Sequence, residues 1–232
     1  MIITPKEGNK FKLRKVSIYE ENFALAGEHY SGKTRFAVDH IVKPLIENKV
    51  KIWFWNHHGK YLKSFPKNMI CYYLDELENR TQIYVPESKS IEHFNEFCEL
   101  VQQQFKLHVV LDELHDYVTA QSWKAKALQP IIRDLPANQY VTYTAIFQRA
   151  SEVQRSIFGN AKHKLLFKHD IEDQDKYLRI MGTKSSLLLE QQQRKFYKNI
   201  PNAKPYSFVY RDEERSNQTE FYNGGKFQEV SE

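Results

Sequence analysis

The sequence predicts an α/β fold with a mostly parallel central sheet and helices on both of its faces. Three observations predict it. Short apolar runs alternate with stretches whose apolar residues recur at helical spacing. A glycine-containing segment, Gly27–Thr34, joins an early apolar run to the first helical stretch. A later apolar run ends in Asp112 and Glu113, the arrangement expected where a buried parallel strand reaches the ligand-binding edge of its sheet.

Length and composition bound the domain organisation. The chain has 232 residues, of which 41% are hydrophobic and 27% charged, so a packed core is possible. We expect a single domain over residues 1–232, with a core at about 22–168 and a C-terminal extension at about 169–232. The C-terminal extension carries a small strand-and-hairpin appendage, because Asn223-Gly224-Gly225 is a hairpin turn signal.

Charge and cysteine content limit which partners and which cellular compartment are consistent with the sequence. The formal net charge of +5 permits an acidic partner such as nucleic acid without requiring one. Cys71 and Cys98 provide no disulfide or metal framework, which favours a reducing interior. No apolar run approaches the ~20 residues of a membrane span, and residues 1–15 lack the apolar core of a signal peptide. We therefore expect neither a transmembrane segment nor a signal peptide.

The elements of the first half follow from periodicity and from helix signals. A helix follows the glycine segment to about Asn48, and Pro44 should bend or weaken its last turn. After Pro86, Ser88 or Ser90 caps a helix that extends through Phe105. The predicted strands of this half are Phe11–Ile18, Asn22–Ala26, Val50–Trp55, Gln82–Val85 and the run that begins at Leu107.

Predicted helices and strands also alternate in the second half of the chain. Trp123–Leu135 is predicted as a helix that ends before Pro136, and Ser151 opens another helix that runs to about Phe158. Tyr140–Phe147 is rich in β-branched and aromatic residues, which favour a strand. The remaining predictions are strands at Lys164–Phe167 and Tyr206–Tyr210, helices at Glu172–Met181 and Ser186–Tyr197, and the hairpin at Gln218–Phe227.

The glycine segment reads GEHYSGKT and fits G-x-x-x-x-G-K-[ST], the phosphate-binding P-loop. Its glycines let the backbone approach phosphates closely, and its amides and the positive end of the next helix face the anion. Lys33 can reach the β- and γ-phosphates, and the Thr34 hydroxyl can ligate Mg²⁺. The loop therefore predicts a nucleoside triphosphate with Mg²⁺, and by itself it leaves kinases, GTPases and motor ATPases open. The predicted nucleotide-binding residues are Gly27, Glu28, His29, Tyr30, Ser31, Gly32, Lys33, Thr34 and Arg35.

Two further segments end predicted strands with polar residues. In VVLDELHD, Asp112 would hold Mg²⁺, usually through water, and Glu113 would polarise the attacking water as a general base. After the strand at Val50–Trp55, His57 and His58 stand beside Gly59. Two adjacent histidines without cysteine or carboxylate spacing are weak as a metal site, so a turn at the rim of the active site is the favoured interpretation.

Four segments together resemble the FtsK–HerA superfamily of DNA-pumping ATPases, and within it the genome-packaging ATPases of membrane-containing and archaeal viruses. The segment WFWNHHGKY (53–61) is similar to a D-P-H-G-E-Y turn, with Asn56 in place of Asp. The segment TAIFQRASEVQRSIFGNAKHKLLFK (144–168) is similar to a T-Q-R-P-S-E-V…N-A passage, with Ala150 in place of Pro. Its Gln148-Arg149 is the feature that discriminates this superfamily from other P-loop proteins. The four are GEHYSGKT (27–34), WFWNHHGKY (53–61), VVLDELHD (109–116) and TAIFQRASEVQRSIFGNAKHKLLFK (144–168).

The resemblance implies roles for Gln148 and for an arginine. Gln148 would be a sensor of the γ-phosphate or the attacking water, a role suited to an amide that donates and accepts at once. The superfamily implies a hexamer or similar ring, in which an arginine of one subunit enters the neighbour's site. Arg133 is the first candidate for this trans-acting arginine, and Arg149 and Arg155 are alternatives. With Lys33 and Glu113, these residues make up the predicted catalytic set.

The resemblance implies an ATP-driven translocase of double-stranded DNA that packages a viral genome. Its partners would be double-stranded DNA, further copies of itself and a capsid or portal vertex, in the host cytoplasm or the virion. Basic residues around 162–168 and 194–198 could line a DNA-facing surface. Two alternatives remain open: an assembly or extrusion factor like the Zot-type proteins of filamentous phages, and a small-molecule phosphotransferase, in which Gln148-Arg149 would have no role.

Overall fold

The computed structural model describes residues 3–6, 10–13, 21–169, 173, 175, 177, 179, 208–212, 219–223 and 226–228. Strands β1 (Ile3–Lys6) and β2 (Lys10–Leu13) form an antiparallel pair. The other strands form a ten-stranded sheet. They are β3 (Phe23–Ala26), β4 (Ile52–Trp55), β5 (Ile70–Cys71), β6 (Gln82–Tyr84), β7 (His108–Leu111), β8 (Thr142–Phe147), β9 (His163–Leu166), β10 (Phe208–Asp212), β11 (Thr219–Asn223) and β12 (Lys226–Gln228).

The strand order is β12-β11-β10-β9-β3-β8-β7-β4-β6-β5. All pairs from β9 to β5 are parallel, whereas β10, β11 and β12 add in antiparallel orientation. The predictions of a mostly parallel sheet and of a C-terminal hairpin are therefore confirmed. Because β3, β8 and β7 are parallel neighbours, the segments that follow them emerge side by side at one edge of the sheet.

The helices cover both faces of the sheet, as predicted. Alternate residues of β3 point to opposite faces, so Phe23 and Leu25 pack in one apolar cluster and Ala24 and Ala26 in the other. Helices α1 and α2 bury residues in the first cluster, whereas α3, α4 and α6 bury residues in the second. The helices are α1 (Lys33–Ala37), α2 (Lys43–Glu47), α3 (Ile91–Gln102), α4 (Leu128–Arg133), α5 (Leu135–Asn138) and α6 (Arg155–Gly159).

The helix after the glycine loop contains a local irregularity. A π-helical turn at Val38–Val42 separates α1 from α2, and Pro44 lies in the first turn of α2. Pro44 has no N–H to donate to the carbonyl four residues earlier, so the wider π spacing accommodates a missing bond. The predicted weak point at Pro44 thus lies where the helix changes its hydrogen-bond pattern.

Four helix boundaries differ from the prediction. The helix expected from Trp123 begins only at Leu128, because Trp123 pairs with Val118 in an isolated β-bridge. Pro136 lies in the first turn of α5 instead of following a helix, a position where its missing N–H is tolerated. In the second half, a 3₁₀ turn at Ala150–Glu152 delays α6, and α3 ends at Gln102, short of the predicted end.

Other predicted elements agree to within a few residues, and some lie outside the description. Ser90 caps α3, where its hydroxyl accepts a hydrogen bond from the His93 amide. Cys71 and Cys98 are free and buried. The predicted helix 186–197 lies outside the described residues, as do most of helix 172–181 and of strand 11–18 beyond β2.

A buried histidine links the two central strands β7 and β8. His108 is 1% exposed, and its Nδ1 and Nε2 each lie 2.8 Å from a threonine hydroxyl, those of Thr142 and Thr144. A neutral imidazole has one donor and one acceptor, and each hydroxyl can complement either. Burial lowers the pKa of His108 to about 3, so the residue is neutral in the folded protein.

Candidate nucleotide-binding site

The glycine loop starts between the ends of two strands. The Gly27 amide donates to the Gln148 carbonyl after β8 at 2.9 Å, and the Glu28 amide donates to the Lys168 carbonyl after β9 at 2.7 Å. Gly27 has φ +150°, and a Cβ placed there would lie 2.7 Å from the Phe167 Cβ and 2.8 Å from the Lys168 carbonyl oxygen. Only glycine fits this position without displacing backbone.

The far end of the loop turns into α1 through left-handed residues. Tyr30 has φ 59° and Gly32 has φ 93°, and the Phe36 amide closes the first helical turn on the Gly32 carbonyl at 2.8 Å. The hydroxyl of Ser31 is buried and makes no hydrogen bond within the described part of the chain. Such a hydroxyl is suited to a polar ligand seated on the loop.

Lys33 is folded back over the loop. Its side chain is buried, and Nζ donates to the carbonyls of Gly27 at 2.6 Å and Glu28 at 2.8 Å. Burial lowers the pKa of Lys33 to about 8, although the negative charges of Glu113, Asp112 and Glu28 oppose the shift. An ammonium has three N–H groups, so these two carbonyls leave one for an anion.

Thr34 joins the loop to the acidic segment after β7. Its Oγ1 donates to Asp112 Oδ1 at 3.0 Å. Asp112 is 1% exposed, and burial together with the charge of Glu113 raises its pKa to about 7, while the bond from Thr34 opposes that rise. A buried carboxylate beside a hydroxyl supplies the hard oxygen donors that Mg²⁺ prefers, and a cation there would favour the ionised form. These two residues fit the predicted metal.

Glu113 lies at the centre of a polar cluster. Gln148 Nε2 donates to its Oε2 at 3.3 Å. His58 Nε2 lies 3.6 Å from Oε1, and His115 Nδ1 lies 3.5 Å from Oε2. Burial favours the neutral acid, but the bond from Gln148 and the charges of His115 and Lys33 outweigh it, so the pKa of Glu113 is lowered. The carboxylate is therefore ionised at neutral pH and can accept a proton.

The turn after β4 forms a further wall of the site. The side chain of the fully buried Asn56 donates to the Lys60 carbonyl at 2.7 Å and accepts from the Lys60 amide at 3.2 Å. His57 is buried, with Nδ1 3.1 Å from Tyr117 Oη, and burial lowers its pKa to about 4. Among the described residues, no group of three His, Cys, Asp or Glu side chains could hold a metal ion.

A cleft of about 270 Å³ brings these elements together. It lies between the glycine loop, the turn after β4 and the end of β7. The turn after β4 lies at the rim of this cleft, as predicted. The sequence analysis did not assign a role to Lys60 or Tyr61 of this turn. The residues that line the cleft are His29, Tyr30, Gly32, Lys33, Thr34, His58, Lys60, Tyr61 and Glu113.

The candidate arginines are not brought to this cleft. Arg149 Nε donates to the buried Asp173 at 2.6 Å and lies 3.7 Å from Glu152. Arg155 is exposed at the start of α6, and Arg35 forms an ion pair with Asp39 at 3.4 Å.

Arg133 lies near the ends of the parallel strands that are farthest from the cleft. It is exposed at the end of α4, and the neighbouring Ile132 carbonyl accepts a hydrogen bond from Asn160 at 3.0 Å. The Asn160 carbonyl in turn accepts one from Asn22, just before β3, at 3.4 Å. Because the glycine loop follows the other end of β3, Arg133 and the cleft of the same chain lie at opposite ends of the parallel strands.

The expected basic surface at 162–168 is wrong in part. Lys164 is buried within β9, between β3 and β10. Lys168 forms an ion pair with Glu28 at 2.9 Å, beside the glycine loop. Residues 194–198 lie outside the described residues. The helices that the structure describes include none long and apolar enough to cross a lipid bilayer.

Comparison with solved structures identifies the fold. The chain superposes on the genome packaging NTPase B204 from Sulfolobus turreted icosahedral virus 2, in complex with ATP-gammaS, with a TM-score of 0.69 at 13% identity, over 88% of this chain and 97% of that one. The fold is that of a P-loop NTPase. B204, the DNA-packaging ATPase from Sulfolobus Turreted Icosahedral Virus, matches with a TM-score of 0.65 at 13% identity, again over 88% and 97%.

A bacterial ATPase gives a weaker match to the same P-loop NTPase fold. EssC (ATPases 2 and 3) from Geobacillus thermodenitrificans matches with a TM-score of 0.50 at 13% identity, over 93% of this chain and 42% of that one. No family model matches the sequence, and no curated protein matches it. The structural similarity agrees with the resemblance inferred from the four sequence segments.

Proposed function

We propose that this P-loop NTPase hydrolyses ATP with Mg²⁺ and uses the energy to move double-stranded DNA during packaging of a viral genome. The observation that carries the proposal is the pairing of two contacts at neighbouring strand ends. Thr34 donates to Asp112, and Gln148 donates to Glu113, both beside the buried Lys33. This set contains a cation for phosphate, two oxygen ligands for a metal and a carboxylate with a polar partner.

Each residue has a distinct role in the proposed hydrolysis. Lys33 binds the β- and γ-phosphates through the N–H that its two carbonyl partners leave over. Glu113, whose carboxylate is ionised at neutral pH, accepts a proton from the attacking water. Gln148 donates to Glu113, and its amide oxygen remains available to accept a hydrogen bond from that water.

The metal would be held by Thr34 and Asp112. When bound, Mg²⁺ would neutralise charge on the β- and γ-phosphates. Asp112 contributes an oxygen fixed by the hydroxyl of Thr34 and by a backbone bond from its own amide to Trp55 at 3.3 Å. This fixed position keeps the carboxylate buried beside Thr34, which lines the cleft.

Coupling to DNA is the finer part of the proposal. The B204 proteins of similar fold are described as genome-packaging and DNA-packaging enzymes, and the formal net charge of +5 suits a polyanionic partner. Arg133 lies near the ends of the parallel strands that are farthest from the cleft, so it could serve only the cleft of another copy of the chain. A ring of copies, each a single domain, would permit that contact, with Arg149 and Arg155 as the other candidates.

The test is ATP hydrolysis by the purified protein with and without double-stranded DNA, with Glu113→Gln as the matched inactive variant. We expect turnover that DNA stimulates and that Glu113→Gln abolishes while ATP binding persists. The variant keeps the size of the side chain and removes the base, so a loss of binding would contradict the role of Glu113. Turnover indifferent to DNA at low and moderate salt would refute the translocase.

The two other functions give different results in the same preparation. A Zot-like extrusion factor would associate with membranes and would not respond to DNA. A phosphotransferase would transfer phosphate to a metabolite and would leave little free phosphate without that acceptor. Free phosphate released in proportion to added DNA therefore separates the proposed motor from both.

A further inference from the structure

The turn after β4 is built around a single buried side chain. The side-chain amide of Asn56 donates to the Lys60 carbonyl at 2.7 Å and accepts a hydrogen bond from the Lys60 backbone amide at 3.2 Å. Gly59 has φ +61°, and a Cβ there would lie 3.2 Å from Val85 Cγ1, so the chain reverses tightly against the residue that follows β6. The Asn56 clamp fixes the position of the Lys60 backbone independently of any ligand.

The clamped residue is a lysine that has no counter-ion among the residues described by the structure. Lys60 lines the cleft together with Lys33 and Thr34. Its side chain makes no hydrogen bond or ion pair within the part of the chain that the structure describes. The carboxylates nearest the loop already have partners, because Asp112 accepts from Thr34 and Glu28 pairs with Lys168.

The charge of Lys60 acts on the other groups of the cleft. Burial is the main cause that lowers the pKa of His58, and the positive charge of Lys60 adds to this shift. A second positive charge raises the energy of a cleft that already contains Lys33. A bound polyanion removes that penalty, and it removes more as its own charge increases.

The sequence pattern also sets this position apart. The turn reads NHHGKY, so Lys60 stands where the similar D-P-H-G-E-Y pattern has an acidic residue. Compared with that pattern, the wall of the cleft carries a cation in place of an anion. A cation at this position of the cleft is therefore a property of this chain and does not follow from the resemblance.

We propose that Lys60, positioned by Asn56, is a second phosphate-binding cation that selects the terminal phosphates of a nucleoside triphosphate from within the same chain. The inference rests on the proposed ATPase function. Lys33 and Lys60 both line the cleft, one on the glycine loop and one on the turn after β4. A monophosphate lacks the β- and γ-phosphates and so reaches neither ammonium group, whereas a triphosphate reaches both.

The test compares the binding of ATPγS and AMP to the wild-type protein, Lys60→Ala and Lys63→Ala. Lys63 is an exposed lysine three residues further along, and it does not line the cleft, so its variant controls for the loss of one positive charge. We expect Lys60→Ala to weaken ATPγS about 5- to 10-fold at low salt and AMP less than about 2-fold. Lys63→Ala should leave both affinities within about 2-fold of the wild type.

The outcomes separate this inference from the function on which it rests. If the wild-type protein binds neither nucleotide, the ATPase proposal fails and this inference fails with it. If the wild type binds ATPγS and Lys60→Ala binds it equally well, only this inference is overturned. An equal loss of ATPγS and AMP in Lys60→Ala would also overturn it, because selection of terminal phosphates requires a difference between the two ligands.

Asn56 is a positioning residue, and its role has a separate readout. Asn56→Ala removes both bonds to the Lys60 backbone, so ATPγS affinity should fall as in Lys60→Ala. The double variant should lose no more than either single one, because both changes remove the same contact. AMP affinity should persist, which a general loss of the fold would not allow. Additive losses in the double variant would refute the positioning role.

Discussion

Acidification should destabilise the folded protein through His108. In the unfolded chain an unperturbed histidine titrates near 6.5, whereas in the folded protein its pKa is about 3. Between these two values the unfolded chain binds a proton that the folded chain does not. Stability from this residue is therefore complete above 6.5 and is lost as the pH falls towards 3. At pH 5 the loss is about 2 kcal/mol, from 1.5 pKa units at about 1.4 kcal/mol each.

The measurement is the free energy of unfolding by urea at pH 7 and pH 5, for the wild type and for His108→Gln. Taking the difference between the two proteins cancels the other titrating groups. His108→Gln should cost stability at pH 7, because the bonds to Thr142 and Thr144 are disturbed, and that cost should shrink by about 2 kcal/mol at pH 5. Thr142→Val is the matched control, since it removes a hydroxyl and leaves the histidine. A cost of His108→Gln that is equal at both pH values would refute the reasoning.

Three further predictions concern the site. Gly27→Ala should lower the free energy of unfolding by about 1–3 kcal/mol in urea titrations and abolish nucleotide binding, since its Cβ would meet Phe167 at 2.7 Å; a stable, binding variant would contradict the tight fit. Gln148→Ala should reduce turnover about 10- to 100-fold in a phosphate-release assay with little change in ATP affinity, and unchanged turnover would remove Gln148 from the mechanism. Thr34→Val should weaken Mg²⁺-dependent ATP binding more than Mg²⁺-free binding in calorimetry, and an equal loss in both would argue against a metal ligand.

The parts of the site that local sequence encodes could be predicted. The glycine loop follows from spacing within eight residues, and the acidic pair follows from the apolar strand that it ends. Their proximity follows from the parallel order of β3, β8 and β7. Each of these inferences needs only a short window of chain or a general property of parallel sheets.

The remaining features depend on contacts between distant segments. His115 lies two residues after Glu113 in the same turn, whereas His58 approaches Glu113 from the turn after β4. The contact from His58 joins distant segments, so neither spacing nor residue type alone indicates it. The segment after Tyr117 has helical periodicity from Trp123, yet the Ala125 amide donates to the Tyr117 carbonyl at 2.9 Å and the helix starts later. Tertiary pairing outweighs helix propensity there, because propensity contributes only tenths of a kcal/mol per residue.

Gln148 is attached to both halves of the site at once. Its carbonyl accepts the bond from Gly27 that seats the start of the loop, and its side chain donates to Glu113. The same residue therefore connects the start of the phosphate-binding loop to the proton acceptor, so a substitution that displaces its backbone would disturb both contacts.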